Sequence, residues 1–258
     1  MNQRFDNLTG SNPILTLTAS GSPHTKGSYG QLTAATPFDA GPCILVVESG
    51  NNSGGNYLWD VAIGAGGSEQ IVLANLPWKP GSTSAQIHSQ SLIPLTIPAG
   101  SRVAGRCQSS TGLALMNISV WTLQDQTFPR YSRTATYGAG TANSRGTTVT
   151  ANANNTLKGN YAQIAAATDF DARWLLICAT GETWAQGNQF KIDTAIGAGG
   201  SEQIIMADWA MRANQENASV LPWGTTLPYD VPAGSRIAIR ARAETGSNSG
   251  NFLVVIFG

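Results

Sequence analysis

The chain has little charge and no excess of either sign. Asp, Glu, Lys and Arg make up 12% of its 258 residues, and 15 basic side chains balance 15 acidic ones. A neutral chain without a basic run has little electrostatic attraction for nucleic acid or for an anionic membrane surface. We therefore expect no nucleic-acid partner and no membrane insertion.

Long apolar segments are also missing from the sequence. No run approaches the roughly 20 continuous apolar residues of a membrane-spanning helix. The first residues, MNQRFDNLTGSNP, lack the apolar stretch of a secretory signal peptide. We expect a soluble protein that leaves the cell, if at all, by a route other than ordinary secretion.

Cysteine and histidine are too few and too scattered to suggest a metal or redox site. The cysteines are Cys43, Cys107 and Cys178, an odd number at irregular spacing, and the histidines are His24 and His88. This pattern favours cysteines that act as small apolar fillers in a reducing compartment. It predicts no catalytic histidine pair, no metal site and no cofactor.

What the sequence does contain is an internal duplication. IGAGGSEQI at 63–71 recurs unchanged at 196–204, an offset of 133, and PAGSR at 98–102 recurs at 232–236, an offset of 134. Weaker matches precede these two: KGSYGQ at 26–31 answers KGNYAQ at 158–163, and FDA at 38–40 recurs at 170–172. Self-similarity over this length indicates two copies of one domain.

The copies predict a division of the chain into four segments. These are an N-terminal arm (1–13), a first β-sandwich (14–123), a linker rich in Thr, Ser, Gly and Ala (124–145) and a second β-sandwich (146–258).

Short apolar runs bounded by turn-forming residues indicate that both copies are built of strands. We predict strands at 43–49, 57–64, 68–76, 91–98, 101–108, 113–123, 174–180 and 251–258. The glycines at 65–67 predict a hairpin turn, because tight turns need positive φ. Only 206–218 is predicted to form a turn or two of helix. The fold class is all-β: two tandem antiparallel sandwiches, jelly-roll-like, with an Ig-like sandwich as the alternative.

Polar residues that both copies keep are the candidates for a site, and most are interpreted as structural. Shared pairs are Asp39/Asp171, Asp60/Asp193, Glu69/Glu202, Arg102/Arg236 and Arg106/Arg240. We predict that the aspartates of the first pair and the Glu–Arg pairs anchor turns through charge-assisted hydrogen bonds. Because alternate residues of a strand face opposite ways, Asp60 is expected to be separated from its neighbours rather than to gather a cluster.

Tryptophan offers the other candidate contacts. Trp78, Trp184, Trp209 and Trp223 fall in or near predicted loops, where an exposed indole could stack on a sugar or fill a protein interface. For any one of them, packing inside the protein or its oligomer is favoured over such a contact.

IGAGGSEQI and IPAGSR, together with the FDA and YGQ segments, resemble a domain that recurs in structural proteins of tailed bacteriophages and phage-like particles. Such proteins include capsid decoration proteins, head spikes and tail fibres. The resemblance covers most of each copy and implies a virion component made of β-sandwiches, commonly trimeric. It brings no catalytic residues with it.

From the resemblance we expect a non-enzymatic structural protein on the virion surface, either capsid decoration (cement) or a head or tail fibre. Its partners would be other virion proteins and further copies of itself, with a trimer favoured. The alternative is a carbohydrate-binding adhesin that contacts a host surface glycan. A third hypothesis, a glycan hydrolase, would need a carboxylate pair in a cleft.

Overall fold

The computed structural model describes residues 4–8, 14–50, 56–78, 89–124, 128–138, 146–152, 156–180, 189–213, 220–221, 224–246 and 248–258. Regular secondary structure in these ranges consists of β-strands. No helix among these residues could span a membrane.

The chain divides into two compact units. The first comprises Met1–Ala135 with Phe257–Gly258, and the second comprises Thr136–Ile256. The division after Ala135 falls inside the segment predicted as a linker, 124–145.

The first unit contains two sheets. Its strands are β1 (Arg4–Asn7), β2 (Leu15–Thr18), β3 (Gly30–Thr33), β4 (Cys43–Gly50), β5 (Tyr57–Ile63), β6 (Gln70–Trp78), β7 (Ser89–Ile93), β8 (Val103–Ser109) and β9 (Leu115–Gln124). One sheet has the order β1-β9-β4-β7, with β2 also paired to β9, and the other has the order β3-β8-β5-β6. The pairings are antiparallel, as between β5 and its neighbours β6 and β8.

The second unit repeats this arrangement. The remaining strands are β10 (Thr134–Tyr137), β11 (Thr147–Thr150), β12 (Ala162–Ala165), β13 (Ala172–Thr180), β14 (Gln189–Ile196), β15 (Gln203–Ala213), β16 (Val220–Leu221), β17 (Gly224–Val231), β18 (Ile237–Ala243) and β19 (Ser249–Phe257). Their sheets have the orders β10-β19-β13-β17, with β11 also paired to β19, and β12-β18-β14-β15-β16.

The strand order identifies each unit as a jelly roll. Without the short strands β1, β10 and β16, each unit keeps eight strands in chain order. One sheet holds the first, eighth, third and sixth of these strands, and the other holds the second, seventh, fourth and fifth. This interleaving of two antiparallel sheets is the double Greek key of a jelly roll. The predicted fold class is therefore confirmed, and the Ig-like alternative is not observed.

Two segments predicted as irregular form strands instead. Residues 4–7 of the predicted arm are β1, which pairs with the C-terminal half of β9 from Arg4↔Gln124 to Asn7↔Trp121. Residues 134–137 of the predicted linker are β10, which pairs with β19. β1 pairs with backbone groups of β9 that the short strand β2 does not reach, and β10 does the same for β19 beside β11.

The prediction of helix at 206–218 is wrong for its described part. Residues 206–213 belong to β15, which pairs with β14 and changes register near Thr194 and Met206. Asp208 has φ = 52°, which marks an irregularity in the strand. Such a bulge shifts the alternation of apolar residues, so that the spacing imitates a helix.

Apolar side chains of both sheets fill the space between them. In the first unit Leu17, Trp59 and Ile118 are almost fully buried. All three cysteines are also buried and free, and burial raises the pKa of Cys43 and Cys107 to about 12. They have the environment of the apolar fillers that the sequence predicted.

Replacement of Gly27 by Ala tests the close approach of two edge segments in the first unit. A Cβ at Gly27 would lie 1.9 Å from the carbonyl oxygen of Thr18, a backbone atom that cannot rotate away. We expect Gly27→Ala to lower the free energy of unfolding by about 2 kcal/mol, as overpacking does, and to lower the Tm in a thermal scan. Gly66→Ala is the control, since its Cβ would approach nothing closer than 3.9 Å. Equal Tm values for the two variants would contradict the prediction.

Candidate functional site

A buried carboxylate with three strong donors lies on β5 of the first unit. Asp60 on β5 is only 2% exposed. Its Oδ1 accepts hydrogen bonds from the Lys26 ammonium at 2.7 Å and from the Asn75 backbone N–H at 2.8 Å. Its Oδ2 accepts from Arg106 Nε at 2.8 Å. An ionised carboxylate in a dry site needs such partners, because each unmet acceptor carries a desolvation cost.

An aromatic ring completes this cluster. The guanidinium carbon of Arg106 lies 4.6 Å from the centroid of the Tyr29 ring, a cation–π distance. Lys26 also donates to the Leu58 carbonyl at 3.1 Å. The segment before β3, which carries both Lys26 and Tyr29, is thus held against β5 and β8. We call Lys26, Tyr29, Asp60 and Arg106 the first ion cluster.

The second unit builds the same cluster from equivalent residues. Asp193 accepts from Lys158, from the Asp208 N–H at 2.9 Å and from Arg240 Nε at 3.0 Å. Arg240 lies 4.6 Å from the centroid of the Tyr161 ring. Lys158, Tyr161, Asp193 and Arg240 form the second ion cluster.

The second ion cluster has one additional acceptor. The ammonium of Lys158 also contacts Oδ1 of Asp208 at 3.0 Å. The equivalent residue in the first unit is Asn75, which has no carboxylate.

The expectation that strand alternation separates Asp60 from other polar residues is wrong. Alternation applies along one strand, whereas the partners of Asp60 come from β8, from β6 and from the segment before β3. Direct pairing of Asp60 with Arg106 across β5 and β8 places the two residues on the same face of the sheet.

A bulge supplies the backbone donor in each cluster. Asn75 has φ = 55° and Asp208 has φ = 52°, the left-handed region that non-glycine residues rarely adopt. Asn and Asp tolerate this region better than other side chains. Each residue points its N–H at the buried aspartate of its unit, so the strained backbone is stabilised by a charge-assisted hydrogen bond.

Burial and hydrogen bonding change the pKa values within the clusters. Burial lowers the pKa of the Lys26 ammonium, and Asp60 opposes this change without cancelling it. Burial of Asp193 disfavours its ionised form, but hydrogen bonds from Lys158, the Asp208 amide and Arg240 outweigh burial. Together they hold the pKa of the Asp193 carboxyl below its ordinary value.

The Glu–Arg pairs bind the glycine-rich hairpin turn of each unit. Arg102 donates to Oε1 of Glu69 at 3.0 Å and to the Gly64 carbonyl at 3.1 Å, and its Nε donates to Gln31. Oε2 of Glu69 accepts the Gly67 N–H at 2.9 Å. The guanidinium thus connects both ends of the hairpin turn to β3.

The second unit repeats this turn clamp. Arg236 donates to Glu202 at 3.1 Å, to the Gly197 carbonyl at 3.3 Å and to Gln163 at 3.1 Å. The pKa of each glutamate lies below its ordinary value. Hydrogen bonds from its own backbone N–H, from the glycine N–H and from the arginine lower this pKa, and they outweigh burial, which raises it.

The shared aspartates of the FDA segments contact the other conserved turn. Asp39 accepts the Ala99 N–H at 2.8 Å, and Asp171 accepts the Ala233 N–H at 2.7 Å. Each bond fixes the first residue of the AGSR turn, and Arg102 or Arg236 follows three residues after that alanine.

The two tryptophan candidates that the structure describes, Trp78 and Trp209, lie on strands and are not exposed loop residues. Trp78 is 3% exposed at the end of β6 and packs 5.2 Å from the Tyr57 ring, so its predicted role as a surface contact is wrong. Trp209 lies on β15 opposite the buried Ile192, on the face turned toward the core, and is half-buried. Trp184 and Trp223 lie outside the described residues.

Beside each ion cluster runs a polar groove along the open edge of the sandwich. The first groove, of about 520 Å³, lies between β2 and the segment from Lys26 to Gly30. The second, of about 650 Å³, lies between β11 and the segment from Lys158 to Ala162. Tyr29 and Tyr161 belong both to an ion cluster and to a groove.

Sequence reasoning did not assign a role to Lys26, Tyr29 or their counterparts. The signal was present, because Lys-Gly-x-Tyr recurs in both copies at 26–29 and 158–161. The pattern resembles an ordinary turn, and nothing local shows that a lysine there will be buried against a distant strand. In the described part of the chain, no group of three or more His, Cys, Asp or Glu residues could hold a metal ion.

Comparison with known proteins gave structural likeness only. Neither a protein-family model nor a curated protein sequence matched the chain. PNGase F, a glycosylasparaginase from Flavobacterium meningosepticum, matches at 10% identity and a TM-score of 0.41, covering 100% of this chain and 96% of that one. A structure of peptide-N(4)-(N-acetyl-beta-D-glucosaminyl) asparagine amidase matches at 10% identity and a TM-score of 0.37, covering 95% and 96%.

Both of these proteins are enzymes, against the prediction that the chain is not one, and that prediction is not retained. A structure of infectious bursal disease virus, Gx strain, also matches, at 14% identity and a TM-score of 0.28, covering 99% of this chain and 72% of that one. At these scores no match carries an argument about activity. None of the three is a tailed-bacteriophage protein, so that resemblance stays a prediction.

Asp60→Asn tests whether the first ion cluster stabilises its unit. The variant leaves the Lys26 ammonium buried without its anion, and we expect a loss of about 3 kcal/mol in the free energy of unfolding. Asp39→Asn is the matched control, since asparagine can still accept the single Ala99 N–H bond. The measurement is urea unfolding followed by tryptophan fluorescence at pH 7. Similar unfolding midpoints for the two variants would show that the first ion cluster contributes little to the free energy of unfolding.

The pH dependence of stability in the second unit follows from its carboxylates. Asp193 and Glu202 have pKa values below their ordinary 3.8 and 4.5. Such groups stabilise the folded state above their ordinary pKa and lose that contribution as pH falls through the folded-state value. We expect a level Tm from pH 7 to about 5 and a steep fall below about pH 4.

Asp193→Asn provides the control for this acid transition. Since the amide does not titrate, the difference in Tm between wild type and variant should narrow as the pH falls below about 4. If the difference in Tm between wild type and variant stays constant until the protein unfolds in acid, groups other than Asp193 cause the loss of stability at low pH.

Proposed function

We propose that this chain is a structural protein displayed on the surface of a tailed-bacteriophage particle, as capsid decoration or as part of a head or tail fibre. The proposal starts from the resemblance carried by IGAGGSEQI and IPAGSR. In the fold these two segments form neighbouring turns that one arginine, Arg102 or Arg236, joins in each unit. The segments that carry the resemblance therefore form one pair of arginine-linked turns, which both copies keep.

The duplicated jelly roll supports the same proposal. Each unit exposes edge strands, and an assembled protein can protect such edges by pairing or covering them within an oligomer. Ile71 and Ile204 occupy the same position of the repeat and are each 43% exposed on β6 and β15. Apolar side chains exposed at equivalent positions suit contacts with neighbouring copies or with other virion proteins.

The proposed assembly is a homo-oligomer, with a trimer favoured, bound to capsid or tail proteins. Mass spectrometry of purified particles tests it directly: the chain should be present in stoichiometric amount with the structural proteins. Particles from a phage whose copy of the gene is deleted are the control. Absence of the chain from intact wild-type particles would refute the proposal.

The oligomeric mass of the chain in solution distinguishes its position on the particle. A trimer that copurifies with the capsid protein would indicate decoration, whereas a trimer that copurifies with tail proteins would indicate a fibre. A strictly monomeric chain that binds neither would contradict both assignments.

A further inference from the structure

The two polar grooves are the same site built twice. Every residue that lines the second groove lies 132 positions after a residue that lines the first. The equivalence includes the glycines that permit the close approach, Gly27 and Gly159, whose Cβ atoms would meet the carbonyl oxygens of Thr18 and Thr150. The grooves are therefore a product of the shared fold and not an accident of one loop.

We propose that each groove binds a neutral glycan, with Tyr29 and Tyr161 as the aromatic platforms. The guanidinium of Arg106 or Arg240 lies over one face of the tyrosine ring, and the same ring lines the groove. The arginine is fixed by the buried aspartate at 2.8 Å or 3.0 Å. The ring is thus held in place before any ligand arrives, which reduces the entropy lost on binding.

The rest of the lining matches the hydroxyl groups of a sugar. Thr16, Thr18 and Ser28 line the first groove, and Thr148, Thr150 and Asn160 stand in the same positions of the second. Hydroxyl and amide side chains donate and accept hydrogen bonds, as sugar hydroxyls do. An apolar ring face combined with a few polar groups is the usual composition of a small-ligand site, and the groove volumes fall within the ~300–1,000 Å³ of such sites.

Charge favours a neutral glycan over an anionic one. The ammonium of Lys26 is bound by Asp60 at 2.7 Å, and that of Lys158 lies between Asp193 and Asp208. Both lysines line a groove but direct their charge to carboxylates behind it. Among the described residues that line either groove, a sialylated, sulfated or phosphorylated sugar would therefore meet no cation that is not already paired in its own cluster.

Glycan binding by the grooves can be measured on the purified chain, whether or not the chain is part of a virion. The probes are neutral oligosaccharides of glucose, galactose, mannose and N-acetylglucosamine, arrayed beside sialylated and sulfated ones. We expect binding to at least one neutral glycan. Titration calorimetry with the best one should then give two sites per chain, one for each groove.

Paired substitutions identify the site. The double variant Tyr29→Ala, Tyr161→Ala should weaken binding roughly tenfold or more, the usual effect of removing an anchoring aromatic residue. Tyr29→Ala alone should reduce the stoichiometry from two sites to one. Tyr229→Ala is the control, since Tyr229 is also half-buried but lies on β17, outside both grooves.

A second pair of variants separates ligand contact from support of the fold. Ser28 and Asn160 are exposed and line the grooves, and no bond of either ion cluster involves them. Ser28→Leu with Asn160→Leu should fill the grooves and abolish binding while the Tm stays near the wild-type value. Unchanged affinity in both double variants would overturn the assignment.

Failure of this inference can be distinguished from failure of the proposed function. A wild-type chain that binds no neutral glycan, or only anionic ones, refutes the glycan grooves but leaves the presence of the chain in virions to mass spectrometry. Conversely, neutral-glycan binding that is lost in the groove variants supports the inference even if the chain is absent from particles.

Discussion

The buried aspartate of each unit is the interaction on which the other features depend. Asp60 or Asp193 draws together a strand of the sheet, a bulge in the neighbouring strand and the segment that leads into β3 or β12. In a site of low dielectric constant the lysine and arginine would repel each other without this anion. The left-handed bulge residue would also lose the acceptor for its N–H. One carboxylate therefore determines the positions of three chain segments.

An arginine on β8 and another directly before it connect this cluster to the turns. Arg106 lies on β8, and Arg102 immediately precedes the first residue of that strand. Arg106 binds the buried aspartate and supports the tyrosine, while Arg102 holds the hairpin turn through Glu69 and Gly64. Arg236, directly before β18, and Arg240 on β18 make the same contacts in the second unit. A rigid outer face of this kind can present a groove to a ligand with little rearrangement, which suits a protein that displays binding surfaces.

Much of the fold could be predicted, whereas only half of the candidate site could. Strand positions followed from apolar runs between glycine-rich turns, and the shared Glu69 and Arg102 pointed to turn contacts because they flank those turns in sequence. The only signal at Lys26 and Tyr29 was their recurrence in both copies, since their partners Asp60 and Arg106 are 34 and 77 positions away. Trp78 misled the prediction because its position near a loop suggested exposure, while its strand register places it against Tyr57.

By itself the sequence determined the duplication, the all-β class and the residues that both copies keep, because repetition and alternation are visible along one dimension. Only the tertiary structure decided that the duplicated unit is a jelly roll, that residues 4–7 and 134–137 are strands and that Asp60 gathers a cluster. The physical reason is that burial and charge pairing depend on distances between segments remote in sequence. The repeat showed only that both copies keep Lys-Gly-x-Tyr, and the tertiary structure showed that this motif packs against a buried aspartate.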